Sequence, residues 1–234
     1  MRISVIIPTF NEEENIRKLI PWLEANSSPE NLLEIVVVDG GSRDNTVDIA
    51  EEVGAQVHRS TKSGRAVQLA LGGKKAKGEI LYFLHADTFP PPRFDEIILN
   101  AVRKQNPAGC FQIQFDPSSW ALRLFEAFVR FPWMICRGGD QSLYVTRELY
   151  SRIGGFNPGL KIMEDLEIIR QIRRESPFHI LSQRVITSSR KYQNKGTWRL
   201  QMLYAWVHFQ YWTGVPNERI FENSKKWVQK DEYE

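Results

Sequence analysis

Apolar and polar positions along the chain change period several times, and each change marks an element. Ile3 to Pro8 is a short apolar run that reads as a buried strand. Asn11 then stands as an N-cap with Glu14 three positions on, the spacing of a capping box. Ile16, Leu19, Ile20 and Leu23 recur at i, i+3, i+4 and i+7, which predicts a helix laid on a sheet and stopped by Ser27-Ser28-Pro29. The unit repeats: Leu33 to Val38 is a second β-branched run, followed by Asp39-Gly40-Gly41-Ser42 and a helix capped by Asp44 and running to Val53. Ala55 to His58 reads as a third strand, Gly64 to Lys77 as a helix weakened by Gly72-Gly73 and stopped by Gly78, and Ile80 to Leu84 as a fourth strand. Beyond Pro90-Pro91-Pro92 a helix carries Phe94, Ile97, Ile98, Ala101 and Val102, and Gly109 to Phe115 alternates as an antiparallel or edge strand does. Later, Glu164-Asp165 opens a helix whose packed side is Leu166, Ile168, Ile169 and Ile172.

Strands alternating with helices of this length predict an α/β fold. The first ~90 residues look like a Rossmann-like nucleotide-binding half, with a mostly parallel mixed sheet and helices on both faces. Residues 1–234 are expected to form a single domain: a half spanning 1–100, a second half spanning 101–190, and an aromatic C-terminal helical segment and tail spanning 191–234.

Composition narrows the class. With 42% apolar and 25% charged residues the chain is that of an ordinary folded protein. Its net charge of +3 is too small to argue for nucleic acid. Cys110 and Cys136 form no CxxC pair and have no histidine at ligand spacing, so the expectation is neither zinc nor disulfides and a reducing, cytoplasmic setting. The apolar stretch at the N-terminus is too short for a signal peptide. No window reaches the roughly 18 uninterrupted apolar residues of a membrane-spanning helix.

In parallel α/β sheets ligands collect outside the carboxyl ends of the strands. The informative places are therefore Pro8 to Asn15, Asp39 to Asp44, and His85-Ala86-Asp87-Thr88, with Met163-Glu164-Asp165 as a fourth. Three adjacent strand ends would bring Thr9, Asp39 and Asp87 into one crevice. Asp39 has two readings: a turn residue in Asp-Gly-Gly, or an acceptor for the ring N–H of a base that the glycines let approach. His85 and Asp87, on alternate positions, are able to face one hard cation, or are a satisfied structural histidine and a turn cap; a helix start such as Glu164-Asp165 offers a general base or simply acids favoured by the helix dipole. Neither G-x-G-x-x-G nor G-x-x-x-x-G-K-[ST] occurs after the first strand, which argues against dehydrogenases and P-loop enzymes.

Together these segments resemble the family 2 glycosyltransferases, whose fold is GT-A. Val5-Ile6-Ile7-Pro8-Thr9-Phe10-Asn11-Glu12-Glu13 looks like that family's opening strand and donor loop, and Val36-Val37-Val38-Asp39-Gly40-Gly41-Ser42 like its base-recognising strand end. His85-Ala86-Asp87 occupies the place of the DxD motif, and Met163-Glu164-Asp165 looks like the ED motif. The His-Ala-Asp wording is similar to that of a small, poorly characterised bacterial subgroup. The resemblance implies transfer of a sugar from a nucleoside diphosphate sugar to an acceptor hydroxyl, with inversion. Pro8, Thr9, Asn11, Glu12, Asp39 and Gly40 would then line the donor site, and Arg65 would reach base or diphosphate. Asp87, with His85, would hold Mg2+ or Mn2+; Asp165 would be the base, with Glu164 orienting it or the acceptor. Residues 1–100 become the donor half and 101–190 the acceptor half; Asp140 and Gln141, following two glycines, are either contacts to donor sugar or acceptor or caps of their loop.

Two departures stand out. His85 replaces the first acid of DxD, and Gly40 the acid often found after Asp39. Arg190 and Lys191 are either a solvated basic turn or a clamp on the diphosphate. The run Trp198, Leu203, Trp206, Phe209, Tyr211 and Trp212, with Lys195 and Arg199 beside it, has three readings: packing on the domain, an acceptor platform or homodimer contact, and peripheral membrane association toward a lipid-linked acceptor. The rival functions are a non-catalytic nucleotide-sugar-binding protein and a nucleotidyltransferase; the latter is disfavoured by the acidic Asn-Glu-Glu-Glu after strand one.

Overall fold

The computed structural model describes residues 1–128, 131, 134 and 141–225. Strand β1 (Ile3–Thr9) leads through helix α1 (Glu13–Ala25) to β2 (Leu32–Asp39), and α2 (Thr46–Glu52) leads to β3 (Gln56–Arg59). Helix α3 (Arg65–Lys75) returns the chain to β4 (Ile80–Phe83). β1, β2, β3 and β4 pair in parallel, as the alternation of elements requires. Then come β5 (Thr88–Phe89), α4 (Phe94–Arg103), β6 (Ala108–Asp116), α5 (Trp120–Phe128), β7 (Leu143–Thr146), α6 (Arg147–Arg152), α7 (Glu164–Glu175) and β8 (His179–Ser188). Three helices close the described chain: α8 (Arg190–Lys195), α9 (Thr197–Trp212) and α10 (Asn217–Lys225). The eight strands form one sheet in the order β3-β2-β1-β4-β7-β6-β8-β5. β7 is antiparallel to both neighbours, β8 runs parallel to β6, and β5 is antiparallel to β8.

Strict alternation along the parallel strands divides the apolar residues between two cores. Val5, Ile7, Ile35, Val37 and Tyr82 face a cluster completed by α1, α4 and the inner residues Leu200, Leu203 and Val207 of α9. Ile6, Val36, Val38, Leu81 and Phe83 face the opposite cluster with Leu69 of α3, Leu149 of α6, and Ile168, Ile169 and Ile172 of α7. Helices therefore cover both faces, which is why the strands read as unbroken apolar runs. Among the described residues no helix is long and apolar enough to cross a membrane.

Several local expectations need correction. Asn11 does not cap α1: it sits at φ 53° in the left-handed region, and the residue before the helix, Glu12, makes no side-chain cap. Asparagine tolerates that conformation, and here its amide is recruited by the neighbouring loop instead. Asp44 lies two residues before α2 and accepts from the N–H groups of Thr46 and Glu13, so it serves the starts of two helices. β6 is an interior strand between β7 and β8, not an edge. Gly78 does not stop α3, which ends at Lys75 with Ala76 as its cap; it lies so close to β1 that a Cβ would stand 2.6 Å from the Ser4 nitrogen.

Gly72-Gly73, which weaken α3 by propensity, are what lets it approach the sheet. A Cβ on Gly72 would stand 2.3 Å from Cγ2 of Ile6, and one on Gly73 2.3 Å from Oη of Tyr150. Gly72→Ala is accordingly expected to destabilise the fold by about 1–3 kcal/mol, the usual range for overpacking, despite alanine's better helix propensity. Urea unfolding checks this; an unchanged midpoint would mean that α3 shifts away from β1 without loss.

Candidate functional site

The strand ends converge as the parallel register demands. Thr9 is the register partner of Asp39, and Leu84 continues β4 by donating to Ile6 O at 2.9 Å, so His85 to Asp87 pass beside the end of β1. Thr9 and Asp39 are each only 2% exposed. The Asp39 carboxylate accepts from Gly41 N at 2.9 Å and from the N–H and hydroxyl of Ser42, which is the turn-residue geometry. It also lines a cavity of about 270 Å3 with Gly41, Ser42, Asp44, Arg59 and Ser60, large enough for part of a nucleoside. Asn11 ties the two loops together: its N–H donates to Ser42 Oγ at 2.9 Å and its Oδ1 accepts from Arg43 N at 2.8 Å. Pro8 pairs in register with Val38 beneath this loop.

Gln68 was not legible as a site residue. Its Nε2 donates to Thr9 O at 2.7 Å and to Val38 O at 2.8 Å, fastening α3 to the ends of β1 and β2. A Cβ on Gly40 would lie 3.0 Å from that nitrogen, so Gln68 fills the space a larger residue at position 40 would need. The available signal was an amide on the sheet-facing side of α3, beside Leu69.

On the other side of the crevice, Glu12 and Asp87 come together with two cations. Glu12 accepts from Asn15 Nδ2 at 2.6 Å and lies 3.8 Å from Arg190. Burial pushes the Glu12 carboxyl above its ordinary value and the charge of Asp87 adds to the rise, while Asn15, Arg190 and Lys191 pull it back. Asp87 is half-buried; Thr88 Oγ1 donates to it at 3.3 Å, and its carbonyl accepts from Ser188 N. His85 lines a narrow crevice with Ser142 and Asp165. Among the described residues no three His, Cys, Asp or Glu side chains gather as a metal cage. A cation here would rest on few protein oxygens, with the rest of its shell drawn from ligand and water.

Glu164 and Asp165 open α7 just after Met163, which is held at φ 66°. Arg65, the first residue of α3, bridges both: Nε donates to Glu164 Oε1 in a very short contact, and an Nη donates to Asp165 Oδ2 at 2.8 Å. The Glu164 side chain is 4% exposed and that of Asp165 15%. Burial opposes ionisation of Glu164, but the Arg65 charge, a backbone N–H and nearby His85 outweigh it and hold the carboxyl below the usual range. Arg65 thus joins the start of α3 to the two acids that open α7.

The loop before these acids is held from the C-terminal side. Asn217 at the start of α10 accepts from Lys161 N and donates to Ile162 O, each at 2.7 Å. Tyr211 of α9 donates to Glu167 at 2.5 Å. Burial and that carboxylate push the Tyr211 hydroxyl up to about 12. Neither tie was legible, since each joins positions more than 40 residues apart. Asn217→Ala is expected to lower kcat about tenfold with donor KM little changed, because it releases the loop that places Asp165. A lower Tm with unchanged kcat would reduce Asn217 to a stabilising role.

Gln141 is 3% exposed; Cys110 Sγ lies 3.7 Å from its Oε1, and its Nε2 has no hydrogen-bond partner among the described residues. Asp140 lies outside the described residues.

Comparison with known proteins gives this geometry a context. Residues 4–162 match the family model of Glycosyl transferase family 2. A dolichol-phosphate mannosyltransferase of Pyrococcus furiosus is 32% identical over 108 residues, which cover 44% of this chain and 30% of that protein, so the chain spans less than a third of that relative's length. Among solved structures, the mannosyltransferase PcManGT of Pyrobaculum calidifontis with GDP-Man and Mn2+ superposes with a TM-score of 0.68 at 22% identity, covering 96% of this chain and 69% of that one. Staphylococcus aureus TarS residues 1–349 in complex with UDP gives 0.66 at 19% identity, covering 80% and 60%. At such identities the structures establish a shared fold, a mixed, mostly parallel sheet flanked by helices.

Proposed function

Because the chain belongs to Glycosyl transferase family 2, we infer that it transfers a glycosyl group from a nucleoside diphosphate sugar to an acceptor hydroxyl, inverting the anomeric carbon. The observation that carries this reading is the Arg65 bridge to Glu164 and Asp165, with Glu12 and Asp87 forming a second group of neighbouring acids beyond the ends of β1 and β4. The cavity beside Asp39 takes the base, with Asn11 and Gln68 keeping its loops in place. Glu12, Asp87 and Arg190 border the diphosphate. Two neighbouring carboxylates whose charges oppose one another suit a divalent cation, which when bound would neutralise charge developing on the leaving diphosphate. Asp165 takes the proton of the attacking hydroxyl. Arg65 keeps that carboxylate turned to the crevice, and His85, beside Asp165, borders the place where sugar and acceptor meet.

A nucleotide that binds only the native state stabilises it by an amount that grows with the logarithm of its concentration over Kd. Thermal-shift screening of UDP, GDP and dTDP sugars with and without Mn2+ is therefore expected to show one nucleotide raising Tm, more so with metal, and Asp87→Asn losing the metal increment. No shift with any nucleotide would overturn the donor assignment. Retention of nucleotide binding without hydrolysis or transfer would favour the rival reading, a binding protein, to which His85 in place of an acid gives its support.

A further inference from the structure

The inner face of α9 is packed in the core through Leu200, Leu203 and Val207, yet its outer face is apolar as well. Trp198, Met202, Trp206, Phe209 and Trp212 are each between 44% and 59% exposed. Domain packing accounts for the inner stripe alone. The patch continues onto α5, where Trp120 is 74% exposed and its ring lies 6.1 Å from that of Trp198; Leu124 and Phe128 extend it. A contiguous aromatic surface of this kind marks a partner, because isolated exposed apolar residues are ordinary and clusters of them are not.

Charge selects the partner. From Ser176 to Asn217 the chain carries Arg184, Arg190, Lys191, Lys195 and Arg199 and no Asp or Glu at all. On α5, Arg123 is exposed, whereas the acid Glu126 is buried, accepting from Phe115 N and Ser118 Oγ. Exposed Trp and Phe flanked by Lys and Arg is the composition that lies in the interface of an anionic bilayer. A second copy of the chain fits less well: a two-fold interface would bury the exposed Arg123 of both copies in an apolar contact, whereas anionic headgroups offset that charge.

We propose that the outer faces of α5 and α9 form a docking surface for a bilayer carrying anionic lipid headgroups. The surface is built on rigid elements, α9 being held by its core residues and by Tyr211 on Glu167 of α7. It also adjoins the crevice, since α8 carries Arg190 to Glu12 at its start and passes through Gly196 into α9. Docking therefore holds the crevice beside the headgroups. That the acceptor is a lipid-borne alcohol rests in addition on the transfer reading; vesicle binding does not, so the two fail separately.

Co-sedimentation of the full chain with vesicles of phosphatidylcholine and phosphatidylglycerol in equal parts, and with phosphatidylcholine alone, tests the surface. The parent is expected in the pellet with the anionic vesicles and to leave it as salt rises. The variant Trp198→Ser/Trp206→Ser/Phe209→Ser, which alters exposed positions and is expected to melt as the parent does, should bind at least about tenfold more weakly. Arg123→Gln/Arg199→Gln, which leaves the aromatics in place, should lose about fivefold per charge on anionic vesicles. The proposal is overturned if the parent stays in the supernatant, or if the folded triple variant sediments as the parent does. It is equally overturned if the parent is a dimer that ignores vesicles while the triple variant is a monomer, which would assign the patch to self-association.

Discussion

Asp165→Asn is expected to lower turnover about 100-fold or more while leaving donor binding nearly intact, because a positioned general base typically contributes that much to proton transfer. The geometry makes this substitution informative. Asp165 is 15% exposed and lines the crevice with His85, so it can reach a bound hydroxyl, whereas Glu164 beside it is buried against Arg65. Asparagine preserves shape and an acceptor oxygen for Arg65 but cannot take a proton. The effect should therefore appear in kcat, with the nucleotide-induced thermal shift retained. Turnover within a few-fold of the parent would remove Asp165 from the base role.

Arg65→Met has the second large effect, and it falls on both stability and activity. The side chain of Glu164 is 4% exposed, and without the guanidinium its charge is left buried with too little compensation. Breaking such a pair generally costs about 3–5 kcal/mol; Arg65 is itself 41% exposed, and solvent screening brings the expected loss to about 2 kcal/mol. Adding Glu164→Gln in the same chain removes the orphaned charge, so Arg65→Met/Glu164→Gln should recover most of the stability. Activity should not return, since Asp165 still lacks its Arg65 contact. Recovery of both together would show that Arg65 acts only on the fold, and recovery of neither that the pair is not the coupled unit the hydrogen bonds describe.

How far the sequence foretold this depends on which forces are local. β1, β2 and β4 were legible because helices cover both of their faces, which leaves an apolar run with no polar alternation to misread. β8 was not, because its exposed positions, among them Gln183 and Ile186, mix polar and apolar residues, and β5 has only two residues to carry a pattern. Asn11 misled for a definite reason: the residue type that favours an N-cap also tolerates the left-handed turn, and the Ser42-Arg43 loop decided between them. Gly72-Gly73 misled in the opposite sense, since helix propensity says nothing about a sheet that must come within a Cβ of the backbone. That Asp39 and Asp87 follow strands lying beside β1 was legible because topology alone places those strand ends at one edge. The Arg65 bridge spans 99 and 100 residues, and no local spacing encodes it.

The central claim is that this crevice transfers sugar from a nucleotide. Release of nucleoside diphosphate from UDP and GDP sugars, followed in the presence of Mn2+ with the parent, Asp87→Asn and Asp165→Asn side by side, tests it most directly. The account predicts release from one donor by the parent, slowed by both substitutions, with binding surviving in Asp165→Asn. Equal rates in all three proteins, or no release and no binding with any donor, would contradict it.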